Sequence, residues 1–281
     1  LGDSGAVVAN EVISGRVNTL VTNVQRHASR TVLVVQHDGR HIPRVPGSGF
    51  DGVLVDVPCT GSGTTRKNPD VWGKWRPSSG RSLHSLQYDL LTRAIELTKP
   101  GGRVVYSTCS LDPIENEAVV ARVLAGGKVR VVPRGDSLSG VPSNPGMTNW
   151  PLLNDKGELD NESKSEEYLI PTKDMAVSSQ LNECLRVWND EIGGGGFFLA
   201  VLERILEDDV SGVINPFMSQ KTIDDPESFP QPIDDQRERD LREVWGSVPS
   251  NMWSRGKSLL WSSDEIREIW SAERTRKSGR E

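Results

Sequence analysis

The chain has 281 residues, a net charge of −6 and a hydrophobic content of 35%. That length accommodates one large domain and part of another, and no apolar run approaches the roughly 18 residues a membrane-spanning helix needs. The three cysteines (Cys59, Cys109 and Cys184) show no metal-ligand spacing and the four histidines are scattered, so no metal site is expected. Three unpaired thiols fit a reducing compartment.

In chain order, residues 5–10 read as a strand that stops at Glu11. Ser14 to Ala28 carries Val17, Leu20, Val21 and Val24 at helical spacing. Thr31 to Gln36 is a second strand, ending at His37-Asp38, and residues 50–57 are a third. A helix over Leu83–Leu97 is stopped by Lys99-Pro100-Gly101-Gly102. Residues 103–107 make a fourth strand. Asp112-Pro113-Ile114-Glu115 then reads as a helix start, with Asp112 as N-cap and Glu115 closing a capping box, and the helix continues to Leu124. Alternating strands and helices predict an α/β fold with a parallel sheet covered on both faces.

Residues 133–180 read as a long polar insertion with an acidic patch at Asp155–Glu167. Leu181–Trp188 is predicted helical, and Phe197–Leu202 is a late strand after four glycines. Residues 206–236 look like a linker. Beyond it lie Trp245, Trp253, Trp261 and Trp270, with Ser262 as the cap of a short helix. The predicted domains are therefore 1–205, a linker over 206–236, and a further domain that starts at 237–281.

Two loops carry the chemistry. Asp56-Val57-Pro58-Cys59-Thr60-Gly61-Ser62-Gly63 follows the third strand, and Ser107-Thr108-Cys109-Ser110 follows the fourth. In open α/β sheets reactive groups gather beyond the carboxyl ends of the strands. A thiolate there can add to an electron-poor carbon such as C6 of a pyrimidine. C5 then becomes nucleophilic and can take a methyl group from a sulfonium donor. The minimum set is a carboxyl group at the pyrimidine edge, a thiol for C6 and a base for the C5 proton; Asp56 and Cys109 supply the first two. The residues themselves do not say which thiol attacks. Glu11, Asp38 and Asp56 end three successive strands, a pattern suited to adenosine, whose ribose hydroxyls and amino group need acceptors. Between Thr60 and Arg103, eight basic residues (Arg66, Lys67, Lys74, Arg76, Arg81, Arg93, Lys99 and Arg103) face only Asp70, Asp89 and Glu96. That local surplus in an acidic chain suits phosphate.

The segments Asp56 to Thr64 and Tyr106 to Glu117 together resemble the paired signature of the Nop/Sun RNA cytosine-5 methyltransferases. Arg66-Lys67-Asn68-Pro69-Asp70-Val71-Trp72, Ala9-Asn10-Glu11, His37-Asp38, Cys184 to Val187 and Gly195 to Ala200 are similar to the eukaryotic, tRNA-modifying branch. The resemblance covers residues 5–202. It implies a Rossmann-like methyltransferase fold followed by the start of a PUA-like RNA-binding domain. It also implies S-adenosylmethionine as cofactor and RNA, tRNA first, as partner. In this reading Cys109 is the nucleophile, and Cys59 acts in the breakdown of the covalent intermediate. Asp56 contacts both cytosine and cofactor, Glu11 and Asp38 hold the ribose and adenine, and Arg66, Lys67 and Lys74 contact RNA. The family's first strand and its cofactor loop would lie upstream of residue 1, so residues 1–281 alone would bind the cofactor weakly. Glu11 stands where the family usually has Asp, and Trp188-Asn189 where Pro-His is expected. A monomer in the nucleus or nucleolus, or in the cytoplasm, is implied. The rival reading is a catalytically incomplete RNA-binding fragment or pseudoenzyme of the same family. A DNA methylase fits less well, because its single-cysteine arrangement would not need Cys109.

Overall fold

In a computed structural model, residues 5–42, 49–135, 140, 142–160, 167–205, 231–267 and 269 are described. The chain divides into two compact units, one made of Leu1–Ser48 with Val213–Glu281 and the other of Gly49–Gly212.

In the first unit, strand β1 (Val7–Asn10) and strand β2 (Val32–Val35) pair in parallel through helix α1 (Ser14–His27). The four apolar positions at helical spacing are the half-buried ones, while the rest of α1 faces solvent. Asn10 ties the two strand ends together: its Nδ2 donates to the His37 carbonyl at 3.1 Å and its Oδ1 accepts from the His37 N–H at 2.9 Å. Strands β9 (Gln231–Pro232), β10 (Met252–Arg255) and β11 (Ser258–Trp261) form an antiparallel sheet. Residues 231–232 of the predicted linker thus belong to a sheet, and residues 206–230 and Trp270 lie outside the described residues. Helix α6 (Asp235–Trp245) is capped by Asp234 and stopped by Gly246 in the left-handed region. The short helix after β11 is capped by Ser263 rather than Ser262, since the Ser263 hydroxyl accepts from the Ile266 N–H at 3.4 Å.

The second unit holds a six-stranded sheet. Strand β3 (Phe50–Asp56) is at its edge and pairs in parallel with β4 (Thr98–Thr108). Strand β8 (Phe197–Arg204) runs antiparallel to β4, and β7 (Leu185–Val187) and β6 (Asn144–Pro145) follow antiparallel in turn. Strand β5 (Val129–Val131) also pairs with β8. The sheet is therefore mixed, with one parallel pair, and not the parallel sheet expected. Helix α2 (Asp70–Lys74) is a short turn, whereas α3 (Pro77–Leu97) and α4 (Glu117–Leu124) are substantial. Helix α3 packs on β3, β4 and α4. Leu91, Val104, Tyr106, Val119, Phe198 and Leu202 are fully buried at the centre of this core.

Several local expectations are corrected. Helix α3 starts at Pro77, six residues before the predicted start. Pro77-Ser78-Ser79-Gly80 reads as a turn, yet proline suits the first helical position. Gly80 is there because a Cβ would strike the Asp112 carboxylate. Helix α4 starts at Glu117, and Asp112 through Asn116 form turns before it. Leu181–Trp188 is not a helix: α5 (Met175–Leu181) ends where that segment begins, and β7 follows. The central strand β8 supplies β7 with ladder partners that local pattern cannot reveal. The 133–180 insertion contributes to the core through Trp150, Leu169 and Val177.

Candidate active site

The parallel register of β3 and β4 sets Asp56 opposite Ser107, so the two cysteine loops emerge side by side. Cys59 Sγ and Cys109 Sγ are 3.2 Å apart, both half-buried. Their hydrogen bond makes them unequal. It lowers the Cys109 thiol to about 7, against burial and the nearby Asp56 carboxylate, which both raise it. The same bond and burial push Cys59 far up. When Cys109 ionises, Cys59 S–H is the donor that stabilises its thiolate. Asp56 Oδ1 accepts from the Ser107 hydroxyl at 3.1 Å. Cys184 is fully buried, its thiol raised by desolvation, and serves the core alone.

The residue that binds both loops together is Glu115. Its side chain is completely buried. One carboxylate oxygen accepts from the Thr60 and Ser110 hydroxyls, each at 2.5 Å. The other accepts from the Thr60 N–H and from Gln87 Nε2, each at 2.9 Å. Thr60 follows Cys59 and Ser110 follows Cys109, so one buried carboxylate fixes the neighbours of both thiols. Glu115 is thus not a capping residue. In the sequence it stands among polar neighbours, Asp112, Asn116 and Glu117, which offer no local signal of this role.

Further contacts lock the loops. The Gly63 N–H donates to the Cys109 carbonyl at 2.9 Å, and the Gly63 carbonyl accepts from the Gly196 N–H and from Asn189 Nδ2. No side chain fits at Gly63: a Cβ would lie 2.8 Å from the Cys109 carbonyl oxygen and closer still to that of Gly196. Arg186 and Glu117 form a bidentate pair with side chains 1% and 0% exposed. Arg186 also donates to the Leu111 carbonyl at 3.0 Å, which anchors the chain just after Cys109. Asp112, predicted as an N-cap, accepts from the Ile114 N–H at 2.9 Å; burial pushes its carboxyl up to about 6.

The predicted RNA-binding residues Arg66, Lys67 and Lys74 are exposed. Lys74 meets Asp70 at 3.2 Å, an exposed pair of small energetic weight. Arg66 and Lys67, with Thr64 and Gly193 to Gly195, wall a cavity of about 350 Å³. Arg81, by contrast, is held by Asp160 and by the Leu153 carbonyl. Glu11 and Asp38 belong to the first unit, at the carboxyl ends of β1 and β2. Glu11 accepts from the Ile13 N–H and pairs with Arg16 at 3.0 Å. Arg40 beside Asp38 holds that carboxyl down at about 2. Both partners are exposed arginines of the same unit. Among the described residues no cluster could hold a metal ion, and no helix is long and apolar enough to cross a membrane.

Residues 1–203 match the family model described as 16S rRNA methyltransferase RsmB/F. The chain belongs to this methyltransferase family. Among curated family relatives, the Saccharomyces cerevisiae multisite-specific tRNA:(cytosine-C(5))-methyltransferase is 40% identical over 218 residues, 72% of this chain and 32% of its own length. The Drosophila melanogaster tRNA (cytosine(34)-C(5))-methyltransferase is 37% identical over 268 residues, 86% of this chain and 36% of its own. The chain thus spans about a third of these relatives. A solved Pyrococcus horikoshii methyltransferase homologue superposes with a TM-score of 0.51 at 28% identity, covering 72% of this chain and 54% of that one. The Rossmann-like α/β class expected from the sequence is the fold of this family member.

Proposed function

We propose that this RsmB/F family member methylates C5 of cytosine in RNA, with tRNA as the substrate, through a covalent bond between Cys109 and C6. The observation that carries the reading is the Cys59–Cys109 pair, with its ionisable thiol on Cys109. The names of the yeast and fly relatives support both the base and the RNA class.

In this reading Cys109 Sγ adds to C6 while Asp56 holds the pyrimidine edge. The new S–C6 bond places electron density on C5. S-adenosylmethionine, when bound, supplies an electrophilic methyl group at that point. A solvent base then takes the C5 proton, the C5–H pair re-forms the C5–C6 double bond, and the S–C6 pair leaves on Cys109 Sγ as thiolate; Cys59, beside that sulfur, assists this stage by donating its S–H to it. Glu11 and Asp38 hold the ribose and adenine of the cofactor, and Arg66, Lys67 and Lys74 take RNA phosphates. Residues 237–281 read as the start of a PUA-like RNA-binding domain that follows a catalytic domain over 1–205. We assign a monomer in the nucleus or nucleolus, with the cytoplasm as the other compartment.

Bisulfite sequencing of tRNA exposed to the protein and its variants tests this. Cys109→Ala is expected to abolish methylation and any covalent RNA adduct. Cys59→Ala is expected to accumulate a denaturation-resistant protein–RNA complex, and the double variant is expected to form none. RNA binding with neither methylation nor adduct would instead favour a catalytically incomplete RNA-binding protein.

A further inference from the structure

Next to the cysteine loops lies a cavity that the reaction scheme leaves without a role. It measures about 430 Å³, a size common for organic-ligand pockets. Trp72, Trp75, Trp150 and Trp188 all line it, half of the eight tryptophans in the chain. Ser62 and Leu111 form the wall on the side of the active site. These two are joined by a hydrogen bond of 2.8 Å from the Leu111 N–H to the Ser62 hydroxyl, and each lies two or three residues from a reactive cysteine. Among the described residues the one acid in the lining is Asp112. Its Oδ1 accepts from the Ile114 N–H, and its Oδ2 has no hydrogen-bond partner among the described residues.

The lining discriminates between classes of ligand. A carboxyl group in an aromatic pocket repels phosphate and accepts from a neutral N–H donor. Flat aromatic walls suit a heterocycle that stacks. Arg81 also lines the aromatic cavity, but its guanidinium is held by Asp160 and the Leu153 carbonyl. Arg66 and Lys67 line a second cavity with Thr64, while Thr65 faces the aromatic one. One short segment therefore offers apolar and cationic surfaces side by side, as a nucleic-acid strand offers bases and phosphates.

We propose that the aromatic cavity receives a second nucleobase of the RNA, flanking the target cytosine, stacked on tryptophan with Asp112 accepting from its Watson–Crick N–H groups. Guanine is the base of choice, because it sets two adjacent donors, N1–H and N2–H, before one carboxylate. This rests on the RNA methyltransferase reading and adds to it a specificity subsite outside the reacting base.

The test uses fluorescent RNA oligonucleotides centred on the cytosine found by bisulfite sequencing. Each flanking nucleotide is replaced in turn by an abasic residue, and dissociation constants are measured for the parent, Trp72→Ala and Asp112→Asn. Trp72 is 77% exposed, so its truncation leaves the fold intact, and the Asn replacement is isosteric. At one flanking position the abasic change is expected to weaken binding by the parent on the order of tenfold. Trp72→Ala is expected to weaken binding of the intact RNA similarly, yet to add little when that position is already abasic. Asp112→Asn is expected to erase a preference for guanine over adenine there. If no flanking position matters, or if the tryptophan and abasic effects multiply, the subsite is refuted. A Cys109 adduct that forms normally alongside that result would leave the methyltransferase reading standing. Absence of both binding and adduct would overturn both.

Discussion

Cys59 Sγ and Cys109 Sγ stand 3.2 Å apart because β3 and β4 are parallel neighbours in one register. The shared proton distinguishes two residues of identical chemistry. Cys109 ionises near 7 and Cys59 retains its proton.

Alkylation reports this asymmetry directly. Iodoacetamide at neutral pH is expected to modify Cys109 first, with a rate midpoint near 7. In Cys59→Ala the stabilising S–H donor is gone, while burial and Asp56 still disfavour the thiolate. The midpoint is expected to move up toward the ordinary thiol range, and the neutral-pH rate to fall roughly five- to tenfold. Mass spectrometry across a pH series reads both quantities. An unmoved midpoint would remove Cys59 from the activation of Cys109.

Glu115 is expected to govern loop alignment as well as stability. Glu115→Ala strands the Thr60 N–H and leaves Gln87 Nε2 with the Pro58 carbonyl alone, which costs about 2–4 kcal/mol. It also frees the residues that follow both cysteines: losing the Cys59 bond, the largest influence on Cys109, should raise its alkylation midpoint by more than losing the nearby Glu115 charge lowers it. Glu115→Gln keeps the shape and two of the acceptor contacts, and is expected to recover most of the stability. Urea unfolding with parallel alkylation separates the two effects. A stability loss with an unchanged midpoint would make Glu115 purely structural.

The Arg186–Glu117 pair allows a double-mutant test. Arg186→Met leaves a carboxylate buried without its counter-charge and should cost about 3–5 kcal/mol. Arg186→Met combined with Glu117→Leu removes both charges and should recover much of that loss. Equal losses in the single and double variants would show that the contacts to Leu111 and Met147, rather than the charge pair, carry the energy.

Asp112 makes stability depend on pH in an uncommon direction. Its folded-state value of about 6 lies above the ordinary 3.8, chiefly through desolvation. The folded protein therefore holds this proton more tightly than the unfolded chain does. The contribution favours folding below about 4 and is lost as pH rises through 6. Asp112→Asn is expected to stabilise the protein at pH 7 to 8 by up to roughly 3 kcal/mol, the full value of that shift. The advantage should vanish near pH 4. Thermal unfolding of parent and variant across that range checks the sign; an advantage that grows toward acid would refute it.

Much of the site was legible before the fold. Cys59, Cys109 and Asp56 stand out because each follows an extended apolar run, and strand ends in α/β sheets collect chemistry. Glu115 reads as a capping residue because Asp-Pro-x-Glu is also a helix start; only the approach of Thr60, 55 residues away, makes its carboxylate a junction. Arg186 was hidden in the same way, inside a segment whose pattern suited a helix.

The sequence by itself determined β1, α1, β2, β3 and β8, the two cysteine loops and the family signature. These depend on periodicity and turn chemistry that neighbouring residues carry. Tertiary structure alone decided which elements pair and what their pairing brings together. It turned Leu185–Val187 into a strand, ran β8 antiparallel to β4, placed one thiol against the other, and set four tryptophans from distant segments around one cavity. The reason is that ladder partners, buried counter-charges and cavity walls come from residues tens of positions away, and their energies enter only when the chain is folded.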